Sequence, residues 1–296
     1  MPLTRRSLLR GLPLLLALPR ATQAQEAVTW EPSSHWLNDP RTCLGWWMAT
    51  PLSGTVTWRD LLRQRPATLT NMALLSSATS GLQRRTTRVG GWGHIAFDGT
   101  NDEVVLPDVL NNPSALTLSC WVKTSTTTYT GLITRLTSPN GVHPGWRLRL
   151  LEDTGYIGFA IQESDSVSYG FTTTVSVTDG QWHHILVTMP SYPDPFALYV
   201  DGRSREYTLQ TLGTVTDAST ATLPRLGRFG DGTYPLVGQM DDVRLYNRPA
   251  LASEARFLYT QGRLRYPDLL APDPALAYAP TPPVPTVKLP SLLFHH

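Results

Sequence analysis

The chain has 296 residues, 41% of them hydrophobic, with 25 Lys and Arg against 23 Asp and Glu. That apolar share supports a packed core and excludes a chain disordered throughout. Four of the basic residues, Arg5, Arg6, Arg10 and Arg20, fall in the first 24 positions. The remainder holds 21 basic and 23 acidic residues, without the basic footprint of a nucleic-acid binder.

Residues 1–24 read as a signal peptide: a charged start, an apolar run at 11–19, then small residues up to Ala24. The segment Thr4-Arg5-Arg6-Ser7-Leu8-Leu9-Arg10 resembles the twin-arginine export signal of bacteria. Leu8 and Arg10 stand where Phe and Lys are commonest. The apolar run is short and is broken by Pro13 and Pro19, so it does not span a bilayer. An exported protein is expected (periplasmic, surface or extracellular), not membrane-spanning after signal cleavage. An uncleaved N-terminal anchor is the alternative.

Residues 25–42 are a polar, Pro-broken lead-in. The first core strand is expected over 43–49, with Trp46 and Trp47 on opposite faces. A short helical turn over 58–64 is stopped by Pro66, and 67–89 read mostly as loop. Strands follow at 92–97 and 103–106, joined through Asp98-Gly99. Over 116–123, Leu116, Leu118, Cys120 and Val122 alternate with polar and aromatic residues. The run Trp146-Arg147-Leu148-Arg149-Leu150 has the pattern of a half-buried antiparallel strand. Further strands are expected at 131–136, 156–161, 167–174, 182–189, 196–200, 204–209, 223–228 and 237–247. One helix is expected, over 253–261, with Ser253 as N-cap and Phe257 and Leu258 on its apolar face. Many short strands, close Asp-Gly turns and little helix predict an all-β antiparallel sandwich or jelly roll.

Residues 263–296 contain eight prolines and read as a polyproline-like tail. Two readings stand: a disordered end, or a segment that docks on the domain or a partner through Leu289, Leu292, Leu293 and Phe294. For Cys43 and Cys120 two readings also stand, a disulfide permitted by export and two buried free thiols.

Several motifs in order carry a resemblance. Upstream are Leu44-Gly45-Trp46-Trp47, Leu69-Thr70-Asn71, Phe97-Asp98-Gly99-Thr100-Asn101-Asp102 and Leu116-Thr117-Leu118-Ser119-Cys120-Trp121-Val122-Lys123. Downstream are Asp179-Gly180-Gln181-Trp182-His183-His184-Ile185, Leu198-Tyr199-Val200-Asp201-Gly202, Leu226-Gly227, and Gly238-Gln239-Met240-Asp241-Asp242-Val243-Arg244-Leu245-Tyr246-Asn247-Arg248-Pro249-Ala250-Leu251. Over about 43–262 the chain resembles the laminin G-like, concanavalin A-like jelly rolls of bacterial exported proteins.

The resemblance places the first and last strands side by side, with the Asp98 turn near Asp241, and implies a structural Ca²⁺. Its ligands would be Asp98, Gly99, Asn101 and Asp241, since Ca²⁺ takes six to eight oxygens. Strand alternation separates Asp241 from Asp242 and leaves Asp242 to pair with an Arg. The competing reading is that Asp98 caps its turn and Asp241 accepts backbone hydrogen bonds.

Catalytic patterns are incomplete. The nearest match to the Glu-x-Asp-x-x-Glu of laminarinase-like enzymes, Glu163 to Ser168, lacks its third acid. His183 and His184 face opposite ways along a strand and cannot chelate one metal. No Gly-x-Ser-x-Gly elbow occurs. Trp92, Tyr129, Trp146, Tyr169, Tyr192 and Tyr234 lie in or near turns and are candidates for stacking on sugar faces. The expectation is therefore an exported, non-catalytic module that binds a glycan or surface protein. The alternative is a structural or assembly component that docks or oligomerises through the tail, and a glycoside hydrolase ranks third.

Overall fold

The computed structural model describes residues 39–49, 57–62, 65–72, 80–84, 93–140, 143–191 and 194–264. The signal segment, Trp92, Tyr192 and the Pro-rich tail lie outside the described residues. Among the described residues, seventeen strands and one helix form an antiparallel β-sandwich of the jelly-roll class.

The strands are β1 (Cys43–Trp47), β2 (Thr57–Trp58), β3 (Ala67–Thr70), β4 (Gly81–Arg84), β5 (Gly93–Asp98), β6 (Glu103–Val105), β7 (Leu116–Lys123), β8 (Thr130–Arg135) and β9 (Gly145–Leu150). They continue with β10 (Tyr156–Ser164), β11 (Val167–Ser176), β12 (Trp182–Met189), β13 (Ala197–Val200), β14 (Arg203–Arg205), β15 (Thr208–Leu212), β16 (Arg225–Leu226) and β17 (Val237–Tyr246). One sheet has the order β14-β13-β12-β7-β17-β5-β4, with β1 also on β17. The other runs β15-β11-β10-β9-β8-β16-β6-β3-β2.

The core lies between the sheets, because alternate residues of each strand turn inward. Trp47, Phe97, Leu118, Trp146, Phe159 and Met240 meet there, essentially without solvent contact. Two expectations are refined in the N-terminal third. The segment 67–89, read mostly as loop, contains β3 and β4, and the expected helical turn over 58–64 begins at the end of β2, with Asp60 bridging Trp47. Four-residue strands hold too few alternations to show a period. Ala67 and Leu69 nevertheless alternate inward.

The helix α1 (Ala252–Arg263) packs on the outer face of the first sheet. Ala255 and Leu258 rest on Leu186, Tyr199 and Tyr246, and Tyr259 stacks on Trp121 at 5.7 Å. Its N-cap is Leu251, not Ser253. Glu254 closes the first turn by accepting the Leu251 N–H at 2.7 Å and pairing with Arg248 at 2.8 Å. A carboxylate at the third helical position thus does what a Ser hydroxyl was expected to do. Phe257 is only partly buried, so the apolar stripe runs through Ala255 and Leu258.

Candidate functional site

β17 takes two neighbours along one edge. Its first half pairs with β5 and its second half with β1, while β7 runs along the other side. At the change-over the register shifts between Asp241 and Arg244. Two residues of β17 there oppose Cys120 alone, which makes a β-bulge. Asp242 has φ of 47°, the left-handed conformation that Asp tolerates better than most residues.

The bulge redirects both carboxylates. Asp241 stands opposite Trp121 and accepts the Ala49 N–H at 2.8 Å, tying the end of β1 to β17. Asp242 accepts the Trp46 indole N–H at 2.6 Å and pairs with Arg244 at 2.8 Å. The Arg244 guanidinium lies 4.0 Å from the Trp46 ring centroid. The expected Arg partner of Asp242 is thus Arg244, two residues along the same strand. Burial opposes the charge on Arg244, but Asp242 outweighs it and raises the Arg244 pKa.

The four calcium candidates do not converge. Asp98 is the register partner of Val237, and Asp241 lies four residues further along β17. That is about 13 Å at the rise of a strand, beyond the reach of one ion. Asp98 Oδ1 accepts the Thr100 N–H at 2.8 Å, the Asx turn of the competing reading. The Asp98 N–H donates to Asp102 Oδ2 at 2.9 Å. The Asn101 carbonyl accepts from Asn71, and Gly99, at φ 80°, packs against Val237. Among the described residues no group of three or more His, Cys, Asp or Glu is placed to hold a metal. The set Asp98, Gly99, Asn101 and Asp241 does not fit a single calcium shell.

The aromatic candidates divide. Trp146 is fully buried and donates its indole N–H to the Leu110 carbonyl at 2.8 Å. Tyr169 is 2% exposed, stacks on Phe196 and donates to the Asp194 carbonyl at 2.7 Å. Both are core residues with satisfied polar ends, closed to a ligand in this conformation, because they occupy inward positions of β9 and β11. Tyr129 and Tyr234, 105 residues apart in sequence, meet edge to face at 4.8 Å. Phe229 backs them, stacked on Tyr129 at 5.9 Å.

This aromatic pair borders the outer face of the nine-stranded sheet. Arg147 and Arg149, on that face of β9, alternate with buried Leu148 and Leu150. Arg149 donates to the Tyr129 hydroxyl at 2.5 Å and lies over its ring. Arg147 donates to the Gln162 side-chain carbonyl, and Gln162 in turn donates to the His143 carbonyl at 2.7 Å. Across the ladder, Arg147 is opposite Ala160 and Thr134, and Thr134 is opposite Arg225. Glu103 joins Arg225 and Arg228 at 3.0 and 3.1 Å. The face thus offers half-buried tyrosines, fixed guanidiniums and an amide, the groups that bind sugar hydroxyls and ring faces. The two arginines were not among the expected ligand residues, although their Arg-Leu-Arg alternation placed them on one outer face.

Elsewhere, Asn112, Ser114, Ile161, Met189, Ser191 and Thr216 border a cleft of about 260 Å³ at the loop end. Glu163 accepts three hydrogen bonds from Thr216 and Asp217, which fasten a loop. The histidines separate as alternation requires. His184 is buried against Ser119 at 2.9 Å, and its pKa is pushed down to about 4, chiefly by burial. His183 bridges Asp201 at 2.8 Å and Asp179 at 3.0 Å. Burial opposes its charge, but the two carboxylates outweigh it and raise its pKa. Cys43 and Cys120 are free buried thiols, which decides between the two readings. Cys120 lies in the core, whereas Cys43 packs with the residues under α1.

The sequence profile described as the concanavalin A-like lectin/glucanases superfamily, a laminin G-type domain, matches residues 98–256, more than half of the chain. No curated protein matches. Among solved structures, the receptor binding domain of botulinum neurotoxin D is similar over 75% of this chain and 53% of that one, at 11% identity and a TM-score of 0.52. The ligand binding domain of botulinum neurotoxin serotype D in complex with N-acetylneuraminic acid is similar over 79% and 54%, at 11% identity and a TM-score of 0.53. The binding domain of Paraclostridial Mosquitocidal Protein 1 is similar over 76% and 53%, at 15% identity and a TM-score of 0.51. The chain spans about half the length of these structures. At such identities the likeness is one of fold. No helix among the described residues is long and apolar enough to cross a membrane.

Proposed function

Because the chain belongs to the concanavalin A-like lectin/glucanases superfamily, we propose that it is a non-catalytic, exported module that binds a glycan on the outer face of its nine-stranded sheet. The observation that carries this reading is the convergence of Tyr129 and Tyr234 beside Arg149. Two phenol rings locked edge to face supply a rigid apolar surface, and the guanidinium and hydroxyl supply fixed hydrogen bonds. A rigid platform loses little side-chain entropy when it binds. A solved domain of similar fold holds N-acetylneuraminic acid, which supports sugar binding as a use of this scaffold. Glu163, the first acid of the incomplete glycosidase-like pattern, accepts three hydrogen bonds that fasten a loop, which supports binding over hydrolysis. Export rests on the sequence of residues 1–24.

A glycan array probed with the full chain tests the reading, followed by titration of any hit with Tyr129→Ala and Tyr234→Ala. Each variant is expected to weaken binding by about tenfold, the scale of one lost aromatic contact. A hit that neither substitution weakens would move the site elsewhere on the molecule.

A second reading, an assembly component, is favoured by β15. This edge strand is exposed at all five residues and presents Leu209 and Leu212. An open strand edge is a template for pairing with another chain. Sizing of the protein over a range of concentrations tests it, with oligomers expected that Leu209→Lys dissolves.

A further inference from the structure

Arg147 and Arg149 are two residues apart on one face of β9, so their Cα atoms are about 6.5 Å apart. Their hydrogen-bond partners are neutral: the Gln162 amide oxygen for Arg147 and the Tyr129 hydroxyl for Arg149, while the Asp165 carboxylate acts on Arg147 only through its field. Among the described residues neither forms an ion pair, and the buried Nε–H of each lacks an acceptor. The nearest arginines on the face, Arg225 and Arg228, share the single carboxylate of Glu103. Beside the pair the sheet is floored by the small residues Gly158, Ala160 and Gly170, and the Arg149 side chain lies against Gly158.

Two like charges held at adjacent positions repel, and the repulsion grows as water is excluded. The Arg147 pKa is pushed down to about 10, chiefly by burial and next by Arg149. An arrangement that orients two guanidiniums without an ion-pair partner is open to an anion. Guanidinium forks match the paired oxygens of a carboxylate or sulfate.

We infer that Arg147 and Arg149 take the anionic group of an acidic oligosaccharide, a uronate carboxylate or a sulfate ester, on the same face as Tyr129 and Tyr234. The inference rests on the sugar-binding reading and narrows it to a class. The tyrosines would hold the ring, and the arginines would select the charge.

Isothermal titration of the full chain against three probes tests it: neutral gluco- and arabino-oligosaccharides, oligogalacturonates, and sulfated galacto-oligosaccharides. One acidic class is expected to bind at least about tenfold tighter than its neutral counterpart, the scale of a charge-assisted hydrogen bond. Added salt should weaken that binding, and the R147Q/R149Q double variant should abolish the preference, so that acidic and neutral probes bind that variant equally. Circular dichroism and melting establish that the variant is folded, and R147K/R149K, which keeps both charges, should retain part of the preference. Whether the uronate or the sulfate wins distinguishes the two sources. Equal affinity for neutral and acidic probes overturns the inference and leaves the sugar-binding reading standing, as does an acidic preference that survives R147Q/R149Q. No binding to any probe overturns both.

Discussion

Asp242 and Arg244 form an ion pair at 2.8 Å in which both side chains are 5% exposed or less. The pair lies at a bulge of the strand that joins β1, β5 and β7. Asp242 also holds the Trp46 indole, so one carboxylate links the last strand to the first. Removing one partner of a buried pair leaves an uncompensated charge, at a cost of about 3–5 kcal/mol. Asp242→Asn and Asp242→Gly are both expected to lose stability on that scale in urea titrations. Glycine relieves the positive φ, so a loss that persists in Asp242→Gly belongs to the ion pair and not to backbone strain. A loss below about 1 kcal/mol in both would mean that the pair contributes little.

The two histidines link stability to pH with opposite signs. His184 has a folded pKa of about 4 against 6.5 for the free side chain. Between these values the unfolded chain binds a proton that the folded protein refuses, so His184 makes stability fall as pH drops through 6.5 toward 4. His183 has a raised folded pKa, so its contribution is fully present below 6.5 and is lost as pH rises through the folded value. Denaturant midpoints measured between pH 4 and 8 should show a flatter acid limb in His184→Gln, and His183→Gln should lose the decline above 6.5. An acid limb unchanged in His184→Gln would assign the linkage to other groups.

Calcium should leave the described residues unaffected. Asp98 is engaged by its own turn, and Asp241 by the Ala49 amide. Melting curves recorded with millimolar Ca²⁺ and with a chelator are expected to coincide. A rise in melting temperature on adding Ca²⁺, abolished by Asp98→Asn, would restore an ion at that turn.

Gly262 sits against the Trp121 indole, where an added Cβ would fall 2.2 Å from Nε1. Helix propensity alone would make Gly262→Ala stabilising by about 1 kcal/mol. Trp121 is fully buried and stacked under Tyr259, so overpacking should win by about 1–3 kcal/mol. A lowered melting temperature is therefore expected. A raised one would mean that α1 shifts freely over the sheet.

The period-two alternation along β7, β9 and β12, and the Asp-Gly turns between strands, carried the β-sandwich, because inward and outward positions are a local property of a strand. The same alternation separated His183 from His184 and Trp46 from Trp47. It also assigned Arg147 and Arg149 to one face without revealing what stood opposite them. Alternation could not foresee the bulge at Asp242, which arises where β17 changes partners from β5 to β1. Nor could it separate Tyr129 and Tyr234 from Trp146 and Tyr169, since all four are aromatics near turns. The strand pairing decided that. It brought two of them together at the sheet surface from 105 residues apart and turned the other two into the core. Local pattern determined which way each strand faces, and tertiary pairing determined which side chains share a surface, because contacts between distant segments are not written in the periodicity of either one.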